Sequence, residues 1–174
     1  ETLKALADAK GVDGYRITLD FPSFFPIVSY ADSRELREEV YTAFVTRASD
    51  QGPNAGKFDN APILEEILAL RQELAALIGF DDYASLSLAT KMADSPAQVI
   101  AFLDDLATRD VPQAREEFNE LAAYATESLG IDDLQPWDVG YASEKLREGN
   151  ARVVAGTSAP RPALGGVEAT VVTL

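Results

Sequence analysis

Twenty-nine carboxylates and no histidine or cysteine set the chemistry open to this chain. Ser-His-Asp and Cys-His machinery is closed to it, because both need an imidazole to carry the proton. A zinc centre would have to be built from carboxylates alone, whereas zinc sites draw mainly on His nitrogen and Cys sulfur. The carboxylates come as doublets: Glu38-Glu39, Glu65-Glu66, Asp81-Asp82, Asp104-Asp105, Glu116-Glu117 and Asp132-Asp133. Neighbours in sequence do not face each other on a helix, so the doublets read as solvated faces. None has the spacing of a calcium-binding EF-hand. A Ser-Lys dyad uses residue types that the chain does have, yet no spacing marks one. The sequence therefore offers no catalytic and no metal-binding residue.

The run Gly52-Pro53-Asn54-Ala55-Gly56-Lys57 comes one residue short of a phosphate-binding loop. Phe58 stands where a Ser or Thr should meet magnesium, and a helical pattern precedes the run instead of a strand. It reads as a tight connector. Arg47, Asp50 and Asn54 flank it and have two readings. They are channel or loop contacts to a ligand, or they cap the helix ends and pair with one another, the simpler use of polar loop residues. Tyr124, Trp137 and Tyr141 also have two: a stacking surface, or a core cluster at helical spacing.

The elements that would position these residues are mostly helices. Residues 1–10 read as a helix end, broken by Gly11 and Gly14. Tyr15 to Asp20 alternates like a strand, the prolines at 22 and 26 turn the chain, and Ile27 to Tyr30 reads as a second strand of a short hairpin. Asp32 with Glu35 three residues on makes a capping-box start. Leu36, Val40, Ala43, Phe44 and Ala48 then share a face. After the loop 49–60, Asn60 caps a helix whose buried stripe is Ile63, Leu64, Ile67, Leu70, Leu74, Leu77 and Ile78. Gly79 ends it, and Phe80 and Tyr83 pin the turn into a short helix over 82–92. Ser95-Pro96-Ala97-Gln98 starts another. Its apolar positions run from Val99 through Phe102, Leu103 and Leu106 to Phe118, Leu121 and Leu129. Pro112 is expected to kink or split it, and Gly130 to stop it. Pro136 opens a last helix through Trp137, Tyr141 and Leu146. From Gly149 the chain turns rich in Gly, Ala, Pro, Val and Thr.

With 174 residues, 47% hydrophobic and 25% charged, most of the chain is composed like an ordinary folded domain rather than a disordered one. A net charge of -14 excludes a nucleic-acid binder, which needs clustered Lys and Arg, and is repelled by an anionic membrane surface. No apolar run approaches the ~18 residues that span a bilayer. No signal peptide opens the chain, and its start at Glu1 places its true beginning upstream. The lack of cysteine fits a reducing cytoplasm.

Several ordered runs carry a family resemblance. They are Leu19-Asp20-Phe21-Pro22-Ser23, the stretch Thr46 to Asn60 (TRASDQGPNAGKFDN), Glu65 to Arg71 (EEILALR), Ser87 to Ala93 (SLATKMA) and Leu134-Gln135-Pro136-Trp137-Asp138. From about Tyr15 to Arg147 the chain resembles the oligopeptidase A / thimet oligopeptidase family of zinc metallopeptidases. The resemblance implies a mostly helical, two-lobed enzyme whose channel admits short peptides. Its zinc, held by a His-Glu-x-x-His helix, activates a water with a glutamate as general base. Those residues fall downstream of the matched stretch, so none is carried onto this chain.

The expected fold is mainly α: a helical bundle-like fragment with a short β-hairpin near the N-terminus and an irregular C-terminal tail. It divides into a scaffold segment, 1–148, and a tail, 149–174. The tail departs from the family, as a reading-frame change or a broken or wrongly assembled gene would produce. The expected function is that of a fragment of a zinc-dependent oligopeptidase. The parent hydrolyses short peptides and holds the zinc; the chain alone has no cofactor and no activity. The alternative is a non-catalytic helical module that binds peptides or a partner. A cytoplasmic location and self-association through uncovered apolar faces complete the expectation, with neither nucleic acid nor membrane as partner.

Overall fold

Phe24 and Val28 lie four residues apart, as do Leu36 and Val40, and this spacing decides the first part of the fold. The computed structural model describes residues 2–11, 13–155 and 170–171; for Thr2, Leu6, 151–155 and 170–171 it describes the backbone alone. Its elements are α1 (Thr2–Asp8), β1 (Arg16–Ile17), α2 (Phe21–Tyr30), α3 (Arg34–Val45), α4 (Ala61–Leu77), α5 (Tyr83–Leu88), α6 (Pro96–Leu129), α7 (Pro136–Ala155) and β2 (Thr170–Val171). The fold is mainly α, as expected. Strands β1 and β2 pair in parallel, Arg16 opposite Thr170 and Ile17 opposite Val171. The rest of the expected irregular tail, 156–169 and 172–174, lies outside the described residues. Residues 149–155, read as its beginning, continue α7.

The expected β-hairpin does not form, because the segment read as turn and second strand is α2. Pro22 sits in the first helical turn, where a missing N–H costs nothing. The Asp20 carbonyl accepts from the N–H groups of Ser23 and Phe24 at 2.9 Å each. Pro26 forfeits only the bond to the Pro22 carbonyl, at the exposed start of the helix. The helix sets Phe24 and Val28 on one face against Ile17 and Val40, with Leu36, Tyr41 and Phe44 around them. Burying that face outweighs the strand preference of Ile27 and Val28. A second cluster, Leu121, Ala125, Ile131 and Ala142, joins the end of α6 to α7.

Helix ends follow the sequence closely, with local exchanges. Ser33, not Asp32, caps α3: its Oγ accepts from Leu36 N–H at 3.2 Å and donates to Glu35 Oε2 at 3.1 Å. Asp32 is taken instead by α7, receiving Tyr141 Oη–H at 2.9 Å and lying 3.6 Å from Lys145 Nζ. Asp59, one residue before Asn60, supplies the side-chain cap of α4 by accepting from Ala61 N–H at 2.9 Å. Ser95 caps α6 as read, through Gln98 N–H at 3.2 Å. Gly79, at φ +85°, closes α4: its own N–H reaches Ala76 and the Phe80 N–H reaches Ala75. Pro112 does not split α6. The helix runs 34 residues, ~51 Å, and the turn around the proline is exposed, so water can serve the Thr108 carbonyl left without its bond.

The expected buried stripe of α4 is uncovered. Ile63, Leu64, Ile67, Leu70, Leu74, Leu77 and Ile78 are all exposed, and Ala75 is the buried residue of this helix. Phe102, Leu103, Leu106 and Phe118 of α6 are exposed as well. The spacing forecast helices correctly, but among the described residues only α5 packs substantially against α4.

The body is held by one buried carboxylate. Asp138, in the first turn of α7, is fully buried and accepts from Arg37 Nη2 at 2.7 Å. It also accepts from Arg34 Nη2 at 2.8 Å and from the Gln135 N–H at 3.1 Å. Burial alone would raise its pKa, but the hydrogen bonds from Arg34, Arg37 and Gln135 outweigh that and hold it below the ordinary carboxylate value. A lowered folded-state pKa means that this stabilisation is complete above ~4 and is lost as pH falls through the folded value. Replacing Asp138 with Asn should cost about 3–5 kcal/mol, because it strands two arginines, one of them buried. Urea denaturation at pH 7 measures this loss. The deficit relative to the unsubstituted chain should shrink as the pH is taken down through the folded-state pKa of Asp138; a pH-independent deficit would show that the charge is not what matters.

Candidate functional site

The polar loop after α3 is built from short-range hydrogen bonds. Thr46 Oγ1–H donates to the Thr42 carbonyl at 2.6 Å, and Ser49 Oγ–H to the Thr46 carbonyl at 2.8 Å. Ser49 Oγ accepts from Gln51 N–H at 3.1 Å. The Asn60 N–H closes the loop on the Ala48 carbonyl at 2.9 Å. Ala48 takes the left-handed conformation, φ +54°, an uncommon state for a residue with a Cβ. Gly52 has φ +77°, and a Cβ built there would overlap the Thr46 side chain. The near-miss phosphate loop is thus a compact connector whose glycine makes room for the α3 cap.

This loop faces the turn between β1 and α2 across a cleft of about 310 Å³, lined by Thr18, Leu19 and Asp20 on one side and by Thr46, Arg47, Pro53, Asn54 and Phe58 on the other. Thr18 is held by its N–H to Ser23 Oγ at 2.9 Å and by its hydroxyl to Asp20 Oδ2 at 3.1 Å. Arg47 spans the cleft floor. Its Nε donates to the Phe44 carbonyl at 3.1 Å and its Nη1 to the Leu19 carbonyl at 3.3 Å. The guanidinium lies 4.1 Å over the Phe44 ring, which in turn stacks on Phe24. A basic side chain that bonds the last carbonyls of α3 is a helix cap as well as a cleft wall.

Of the three loop residues singled out in the sequence, Arg47 and Asn54 line the cleft and Asp50 is exposed outside it. No ion pair joins Arg47 to Asp50 in the structure. Sequence reasoning missed Thr18 and Asp20, because they fell inside a segment read as a strand. The only signal was the Leu19-to-Ser23 run, which contains Asp20 but not Thr18 and carried the resemblance but no role. Trp137 and Tyr141 are packed into the body: Trp137 meets Tyr41 edge-on at 6.2 Å, and Tyr141 lies under Arg37 at 4.1 Å. Burial, with the hydrogen bond to Asp32 and its charge, pushes the Tyr141 hydroxyl up to about 12.

The cleft can hydrogen-bond a polar ligand through Asn54, Asp20 and the threonines, and can take an apolar group against Phe58. Among the described residues no three His, Cys, Asp or Glu side chains are grouped to hold a metal ion. With neither imidazole nor thiolate anywhere in the chain, the residues present do not fit a zinc site.

Fold and site together define a mainly helical chain with a ligand-sized cleft between the β1–α2 turn and the loop after α3. The model of Peptidase family M3 matches residues 27–169, and the chain belongs to that family. The match runs past Glu148, into the stretch read as a departure from the family. The chain is 57% identical over 145 residues to Oligopeptidase A of Salmonella typhimurium, covering 83% of this chain and 21% of the relative. It is 54% identical over 142 residues to Oligopeptidase A of Haemophilus influenzae, covering 82% and 21%. Saccharolysin of Saccharomyces cerevisiae is 31% identical over 151 residues, covering 83% and 20%. The chain thus spans about a fifth of the length of these relatives.

Replacing Gly52 with Ala should destabilise the chain by about 1–3 kcal/mol, since it combines a strained φ with an overlap on Thr46. Thermal unfolding followed by circular dichroism measures it. Gly56, also at positive φ but with open space around it, should cost less on the same substitution.

Proposed function

We propose that this chain is a structural portion of a zinc-dependent oligopeptidase that hydrolyses short peptides in the cytoplasm, and that the chain by itself hydrolyses none. Membership of the peptidase family, joined to a residue set that cannot ligate zinc, carries this reading. The zinc and the general base belong to other parts of the polypeptide. The contribution of this chain is scaffold and channel wall, with short peptides as the substrate class and neither nucleic acid nor membrane as partner. A charge of -14 supports the last two points, and among the described residues no helix is long and apolar enough to cross a membrane.

The test is hydrolysis of an internally quenched fluorescent peptide by the purified chain, with and without added zinc. No zinc-dependent cleavage is expected; cleavage that follows the zinc concentration and disappears with chelator would sink the reading. The wall role is assigned to the cleft at Arg47 and Asn54, with Asp50 at its margin. Titrating a short peptide into isotope-labelled chain should shift the Arg47 and Asn54 amide resonances, and Arg47→Ala should weaken that response. A response confined to other helices would remove the cleft from the channel.

A further inference from the structure

The hydrogen-bonding groups of the cleft beside Arg47 are unevenly spent, and those left over describe a ligand. A guanidinium carries five N–H donors in a fixed fork. Arg47 uses one at Nε, on the Phe44 carbonyl, and one at Nη1, on the Leu19 carbonyl. Both hydrogens of Nη2 and the second of Nη1 meet no acceptor among the described residues. Asn54 gives its backbone carbonyl to the Lys57 N–H at 3.0 Å, while its side-chain carboxamide, on the same cleft, has no partner among the described residues. The hydroxyls differ: Thr46 donates to the Thr42 carbonyl and Thr18 to Asp20, so neither has a hydrogen left to give. The side-chain donors still free in the cleft therefore belong to one cation and one amide.

Charge points the same way. Carboxylates outnumber cations by 29 to 15 in this chain, yet Arg47 forms no ion pair among the described residues. Lys57 forms none either, and its Nζ sits 5.0 Å over the ring of Phe58, which lines the cleft. An unpaired guanidinium held in place suits a carboxylate, which it can meet with two parallel N–H donors. On the opposite wall Asp20 gives Oδ2 to the Thr18 hydroxyl, and its Oδ1 accepts nothing among the described residues, so it can take an N–H. The volume of about 310 Å³ lies at the small end of the ~300–1,000 Å³ of ligand sites, so the cleft takes the end of a peptide rather than its length. The amino end is an ammonium with donors alone and would set a cation against Arg47. The carboxyl end has acceptors alone and matches the donors left free.

We infer that the cleft binds the free C-terminal carboxylate of a short peptide. Arg47 Nη2 and the Asn54 carboxamide donate to its oxygens, Asp20 accepts from the last peptide N–H, and an apolar last side chain covers Phe58. This rests on the wall role proposed for the cleft and names the part of the peptide that it reads. A side-chain carboxylate within a peptide offers the same chemistry, and the test separates the two sources.

The experiment titrates the peptide Ala-Ala-Ala-Leu, as free acid and as C-terminal amide, into the isotope-labelled full chain at pH 7. The Arg47 and Asn54 side-chain resonances report binding. The free acid should bind roughly ten-fold more tightly than the amide, and acetylating its amino end should change nothing. Ala-Glu-Ala-Leu amide carries its only carboxylate on a side chain and should bind like the plain amide; binding like the free acid would overturn the C-terminal assignment. Asn54→Asp alters a side chain that holds nothing in the fold and should erase the preference by setting one carboxylate against another. Arg47→Gln should bring the free acid down to the level of the amide, and Asn54→Asp decides alone if losing the α3 cap unfolds that variant. Glu39→Gln on α3 removes a negative charge outside the cleft and should leave the ratio as it is. A cleft that answers acid and amide alike, or a preference that survives Asn54→Asp, would overturn the carboxylate assignment and leave the wall role standing. A cleft that answers no peptide would overturn the wall role, and this assignment with it.

Discussion

Everything that behaves as a folded body in this chain depends on Asp138. The residue is out of water, 0% exposed, and Arg37 beside it is 1% exposed. A lone carboxylate there would be far too costly, so two arginines of α3 and the backbone N–H of Gln135, just before α7, must be in place together. Two guanidiniums on one carboxylate leave an excess positive charge. The carbonyls of Ala31 and Asp32, which accept from Arg37 Nη1, and the face of Tyr141 take up part of it. Arg37 Nε is buried with no hydrogen-bond partner, so the balance is incomplete, and a network of this kind is unforgiving of loss. It also fixes geometry: α3 and α7 are locked in register by a contact that spans about a hundred residues of sequence.

Away from that lock the structure is open. The long helices α4 and α6 leave through the polar loop and through the turn at Gly130, and their apolar stripes meet few of the described residues. Helix propensity and good caps at Asp59, Ser95 and Gly79 keep them helical, but isolated helices owe most of their stability to packing on an amphipathic face. The same residues that the sequence marks as core are therefore an exposed surface. Two small clusters, around Val40 and around Leu121, are all the core that the described residues enclose.

This contrast shows what the sequence made legible. Element identity was readable wherever local chemistry settles it: the serine cap before Pro96, the glycine after Ile78, the proline at 136. The α2 segment was misread because Phe, Ile and Val favour strands in isolation, while the deciding term, burial of Phe24 and Val28 on Ile17 and Val40, is tertiary. Periodicity revealed which side of α4 is apolar but not whether anything covers it, since a stripe meant for an internal partner and one meant for an absent partner look the same. The Asp138 pairing was invisible for a related reason, as nothing in the spacing of Arg34 and Arg37 names a carboxylate so far along the chain. The cleft was half legible: Arg47 and Asn54 stand in a loop that advertises itself, while Thr18 and Asp20 join them only through folding.

On the proposed reading, the cleft is where this chain serves a peptidase without supplying the chemistry. Arg47 is fixed by carbonyls on both sides, Leu19 and Phe44, and by stacking on a ring that itself rests on the core residue Phe24. A wall group held this way loses little entropy on meeting a ligand, which is where positioning gains its energy. Its rigidity descends from the body: Phe24 is placed by α2, α2 by its contact with α7, and α7 by Asp138. Hydrolysis needs a Lewis acid and a base at the reacting bond, but it also needs the peptide held still. The second task requires neither His nor Cys, and under the proposed function it is the task that falls to Arg47 and its cleft.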